Sequence, residues 1–129
     1  MNKIIVEVSI GELLDKISIL EIKQEKIKDP EKLKFINNEY SILKDQLGKN
    51  VNSDDELNNL YKSLKEINTK LWVIEDDKRQ CEKDKDFGEK FIKLSRDVHF
   101  LNDDRAKIKL EINSYTGSVI KEIKEYTSY

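Results

Sequence analysis

From residue 10 onward, apolar residues recur at every third or fourth position, and most residues between them are charged. That period marks one face of an α-helix. Four stretches carry it. The first, residues 10–28, has the stripe Ile10, Leu13, Ile17, Leu20, Gln24 and Ile27, with Ser9 and Glu12 forming a capping box at its start. The second has Leu33, Ile36, Tyr40, Leu43 and Leu47. Asp29 caps it, Pro30 takes its first helical position, and Gly48 is placed to end it. The third, residues 54–83, keeps a heptad spacing through Leu57, Leu60, Leu64, Ile67, Leu71, Ile74, Lys78 and Cys81 after a second box at Ser53 and Glu56. The fourth follows a cap at Asp86 and Glu89 and ends at Gly117. Its seam is Phe87, Phe91, Leu94, Val98, Leu101, Arg105, Ile108, Ile112 and Tyr115.

The two ends of the chain read differently. Residues 3–8 alternate, with Ile4, Val6 and Val8 on one side and Ile5 and Glu7 on the other, and their β-branched content favours a short strand. In the tail, 118–129, Ile120, Glu122, Lys124 and Tyr126 alternate in the same way, while Val119, Ile123 and Tyr126 also fit a helix. A lone strand needs a partner for its backbone groups. The expectation is that the tail pairs with residues 4–8, or that such strands pair between subunits. The predicted fold is therefore mainly all-α: one domain, residues 1–129, built as an antiparallel bundle of two helix hairpins. Its third and fourth helices are long and coiled-coil-like, and a short terminal β element closes one end.

Composition sharpens this picture. Only 37% of the 129 residues are hydrophobic and 39% are charged, which suits narrow seams with broad solvated faces. A core that thin gains stability by association, so a homo-oligomer is expected. The net charge of −2 comes from interspersed signs without a basic block, so no nucleic-acid partner is expected. A single Cys and a single His argue against disulfides and Cys- or His-based metal sites. The short apolar run at the start suits neither a signal segment nor a membrane span, which makes a cytoplasmic protein the default.

Arginine is the informative rarity. Of 24 basic residues, all but Arg79, Arg96 and Arg105 are Lys, and the three lie within residues 71–109 beside Trp72 and His99. Where Lys is the default cation, a retained Arg suggests a need for its planar fork and persistent charge. These five residues form the candidate polar cluster. A turn near Lys85 would place Arg105 beside Glu66 and Arg96 beside Glu75, so these are the expected ion pairs.

Glu21, Glu25, Glu75, Asp76 and Asp103 raise a second possibility. Paired carboxylates on facing helices can hold Mg²⁺ or Mn²⁺ inside a bundle. With arginines to hold phosphate, they would make an all-α metal-dependent phosphohydrolase acting on nucleotides. With 26 acidic residues present, such spacings also arise by chance, and the expectation without that reading is no cofactor and no assigned catalytic residue. No G-x-G-x-x-G, P-loop or H-E-x-x-H motif occurs.

Several stretches carry a resemblance: residues 8–23 (VSIGELLDKISILEIK), Leu71-Trp72 with Ile74-Glu75-Asp76, Asp86-Phe87 with Phe91-Ile92, and Asn102-Asp103 with Arg105-Ala106. On these the chain resembles a small family of uncharacterised bacterial and phage all-helical proteins, a domain of unknown function. The resemblance implies a fold and assigns no catalytic residue. Occurrence of some relatives beside surface-polysaccharide genes implies a third role, as an accessory protein of polysaccharide assembly. The leading expectation is a non-enzymatic interaction or self-association module.

Overall fold

The computed structural model describes residues 2–129 and contains four helices: α1 (Ile10–Lys26), α2 (Pro30–Asn50), α3 (Asp55–Asp84) and α4 (Glu89–Thr116). The first three start where a side chain satisfies a free N–H group of the first turn. The Ser9 side chain accepts from the Glu12 amide and Asp29 from the Glu31 amide. The third cap is Asp54, which accepts from Leu57, and not Ser53 as the four-residue box predicts. The fourth helix starts three residues later than Asp86. Gly88 sits at its N-cap without a side-chain bond, and Asp86 instead accepts from the Gly88 amide inside the turn.

The ends are also instructive. Lys85 takes a left-handed conformation with φ 54° and its amide closes back onto α3. Gly117, at φ 67°, ends α4 as its sequence position predicts. Gly48 does not end α2, which runs two residues further. A Cβ there would meet nothing within 4 Å, so no contact fixes the chain at that point.

α1 lies at the centre and is in close contact with each of the other three helices, α3 and α4 form a long hairpin, and α2 approaches only α1 closely. The core joins Leu14, Leu57, Leu64 and Ile112, flanked by Ile10, Leu47, Val51, Leu60, Tyr61 and Ile108. The hairpin register expected from a turn at Lys85 holds: Val73 and Ile74 share a groove with Asp97, Phe100 and Leu101. Lys78 lies level with Phe91, its ammonium 5.9 Å from the ring centroid.

The burial pattern is where the helical stripes need correction. On α1 the buried residues include Gly11, Leu14, Asp15, Ser18 and Ile22 beside Ile17 and Leu20. A central helix touching three others hides more than one stripe. On α4 the expected seam is largely half-buried, and only Lys109, Ile112 and Asn113 are fully buried. Phe87 and Tyr115, placed on that seam by spacing, are about half exposed. The β element is absent among the described residues: neither 2–9 nor 118–129 forms a strand. The tail is tied down by side chains instead. Ser118 Oγ accepts from the Ile10 amide and donates to the Ile120 carbonyl, and Glu122 accepts from Lys109.

Candidate functional site

The densest chemistry lies where α1 crosses α4. Gly11 makes the crossing close: a Cβ there would lie 2.6 Å from the Lys109 carbonyl oxygen and 2.9 Å from Asn113 Oδ1. Its amide donates to Asn113 Oδ1 at 2.7 Å. One turn on, Asp15 is buried to 1% exposure. An ionised carboxylate there needs charge and hydrogen bonds from its neighbours. Arg105 supplies both as a fork, Nε to Oδ1 at 2.9 Å and Nη2 to Oδ2. Asn68 of α3 donates to Asp15 Oδ1 at 2.9 Å and to Ser18 Oγ at 2.7 Å. Lys109 donates to Glu12 at 2.7 Å and to Glu122 at 3.2 Å, and stands 3.9 Å from Asp15.

Burial alone would push the Asp15 carboxyl up. The bonds from Arg105 and Asn68, with the charges of Arg105 and Lys109, outweigh it and hold the pKa below the ordinary value. Lys109 shows the mirror case: burial disfavours its charge, but Glu12 and Asp15 raise its pKa. Three helices and the tail are thus joined through one charged network. Glu12 is engaged with Lys109, so the reciprocal half of its predicted capping box is not made.

A second network joins α1, α2 and α3. Glu21 accepts from Tyr40 of α2 at 2.8 Å and from Tyr61 of α3. Lys65 stands 3.6 Å from Glu21 and donates to Glu25 at 2.9 Å. Burial, opposed and outweighed by the two tyrosine bonds, leaves the Glu21 pKa lowered. Burial and the Glu21 bond push Tyr40 up to about 12 and Tyr61 higher still.

A groove of about 430 Å³ opens beside the first network. Ile19, Ile22 and Leu71 give it an apolar wall, and Asn68, Trp72, Glu75, Asp76, Arg79, Asn102 and Arg105 give it polar groups. Three members of the predicted polar cluster, Trp72, Arg79 and Arg105, therefore meet here. The other two do not. Arg96 lies over the Phe100 ring, 5.8 Å from its centroid. His99 is exposed and packs among Phe100 and Tyr129.

Both predicted ion pairs are replaced. Arg105 pairs with Asp15, not Glu66, which is exposed, and Arg96 does not reach Glu75. The hairpin register is right, yet it gives only the levels of α3 and α4. Arg105 turns towards α1, whose position the register does not contain. The five candidate metal ligands are dispersed. Glu21 and Glu25 serve the tyrosine–lysine network, Glu75 and Asp76 line the groove, and Asp103 accepts from Tyr129. Among the described residues, no three His, Cys, Asp or Glu side chains converge as an ion would require. Sequence reasoning missed Asp15, Asn68, Lys109 and Asn113. The available signal was a polar residue directly after Ile67, Ile108 and Ile112, and for Asp15 a glycine one turn earlier at position 11.

Among the described residues no helix is long and apolar enough to cross a membrane. Comparison with curated proteins and with solved structures finds no match. Residues 4–129 match a family model, and the chain belongs to that family, described as a family of unknown function (DUF6165).

Proposed function

We propose that this protein is a non-enzymatic helical interaction module that works as a self-associated dimer. The observation that carries this reading is the segment 3–8. It is β-branched and lies outside any helix, and its apolar side chains lie open to solvent, Ile4 at 90% and Ile5 at 83%. No backbone hydrogen bond joins it to another segment among the described residues. Backbone groups in such a segment are a template for strand addition.

The partner that fits is the same segment of a second copy. A two-fold dimer pairs a surface with itself, so residue i meets residue j and j meets i. Antiparallel pairing about Ile5 sets Lys3 opposite Glu7 and Ile4 opposite Val6. Charge and shape are then complementary at every step, as cross-strand pairs require. The Ile4, Val6 and Val8 face is left to cover apolar surface, and α2, with Phe35 and Ile42 exposed, supplies surface of that kind. Dispersal of the candidate carboxylates supports a binding role over metal-assisted hydrolysis.

Disulfide trapping tests the register. Residues directly opposite in an antiparallel pair lie about 4.5–5.5 Å apart at Cα, within disulfide reach. Ile5→Cys is expected to cross-link into covalent dimers under mild oxidation, while Lys3→Cys, facing Glu7, stays uncross-linked. Cys81 is buried and does not compete. A wild-type chain that sediments as a monomer at about 100 μM, far above the range of specific complexes, would overturn the proposal.

A further inference from the structure

We infer that the groove between α3, α4 and α1 is a binding site for a phosphate monoester carried on a hydroxylated ring, as in a sugar phosphate or a nucleoside monophosphate. The argument starts from arginine. Two of the three arginines in the chain line this one groove. Arg105 is held by both Asp15 oxygens, which uses Nε and Nη2. Its third nitrogen, Nη1, donates to Asn102 Oδ1 at 3.5 Å, so two of the five guanidinium N–H groups remain for a ligand. An arginine oriented by a buried carboxylate on another helix is a preorganised donor, because no side-chain ordering remains for the ligand to impose.

Arg79 lines the same groove and has no ion pair among the described residues. Glu75, one turn away, does not close on it. Two guanidinium forks with free donors suit a tetrahedral oxyanion. The remaining lining suits a ring. Trp72 offers an aromatic face, and Glu75 and Asp76 are acceptors for hydroxyl hydrogens, while the Asn102 amide gives both donor and acceptor. A volume of about 430 Å³ falls in the range of small-molecule sites. A bare anion would leave the two carboxylates as repulsive neighbours. A hydroxylated ring gives them hydrogen bonds and separates them from the phosphate.

Trp72 is the only tryptophan, so intrinsic fluorescence reports on this groove directly. The probes are glucose 6-phosphate, glucose and inorganic phosphate, with adenosine 5′-monophosphate followed by calorimetry. Saturable binding of either phosphorylated ring at millimolar or lower concentration is expected, with glucose silent and inorganic phosphate weaker. Tighter binding of the nucleotide or of the hexose phosphate decides which source of the shared chemistry is used. Arg79→Gln is expected to weaken binding by about tenfold or more with an unchanged melting curve. Arg79 lies on the surface, so folding of this variant is not at issue. No saturable response to either phosphorylated ring, equal binding of glucose, or an Arg79→Gln chain that binds as wild type would each overturn the assignment. The assay does not depend on dimer formation, because the groove lies away from residues 3–8.

Discussion

The two polar networks of this molecule do different jobs, although each centres on a carboxylate of α1, Asp15 buried and Glu21 half-buried. Around Asp15 the partners are two cations and an amide, all from α3 and α4, and the helices meet at a glycine with no room to shift. Around Glu21 the partners are two tyrosines and an exposed-side lysine, and one tyrosine comes from α2, whose only buried residue is Ile36. The first network fixes how three helices cross. The second holds a loosely packed helix in place. A buried charge pair is a weak source of net stability but a strong penalty when half of it is removed. The contrast therefore predicts that damage to the Asp15 network unfolds the chain, whereas damage to the Glu21 network releases α2.

The largest effect is expected for Asp15→Ala, which leaves Arg105 and Lys109 without their shared carboxylate. The loss should be about 3–5 kcal/mol in urea unfolding. A loss under about 1 kcal/mol would mean that the network is not a structural keystone. Gly11→Ala should follow at about 1–3 kcal/mol, since the new methyl must displace backbone at Lys109. Here the readout is again the denaturant midpoint, and an unchanged midpoint would mean that α1 can ride away from α4 freely.

Acid should separate the networks less sharply. Asp15 and Glu21 both titrate below their ordinary values in the fold. Their stabilisation is complete above the unfolded pKa of about 4 and fades as pH falls through the folded values. Alkali acts on both networks, through Lys109 in the first and most strongly through the two tyrosines in the second. Tyr40 is raised to about 12 and Tyr61 is also raised, so their contribution is complete below pH of about 10 and is lost as pH climbs through the folded values. Melting curves from pH 9 to 12 should fall in wild type and fall less in Tyr61→Phe; parallel curves would remove the Glu21 network from the account.

Glu21→Gln is a smaller perturbation, about 1 kcal/mol. Amide exchange should rise across α2 while α3 and α4 keep their protection. Uniform loss of protection would show that α2 belongs to the same cooperative unit. Smallest of all is Glu66→Ala, expected within about 0.5 kcal/mol of wild type because its side chain is exposed. A larger cost would restore the Arg105–Glu66 pairing read from the hairpin register.

Local chemistry and period were enough to read the four helices, the turn near Lys85 and the stop at Gly117. They are set within one or two turns of chain, where spacing is unambiguous. The heptad in α3 correctly marked Leu57, Leu64, Leu71 and Cys81 as buried. Rarity of Arg and Trp drew attention to Trp72, Arg79 and Arg105, which line one groove, but the same signal also drew in Arg96 and His99, which lie elsewhere.

What the sequence by itself determined is therefore the set of helices and the pairing of α3 with α4. The tertiary structure alone decided the partner of Arg105, the burial of Asp15, Asn68 and Lys109, and the separation of Arg96 and His99 from the groove. Those depend on where α1 lies across the hairpin, and a crossing has no period to read. Gly11 sets its closeness through a clash with residues about a hundred positions away. The ends follow the same logic: strand propensity in residues 3–8 is local, but a strand exists only when a second edge is present to take its hydrogen bonds.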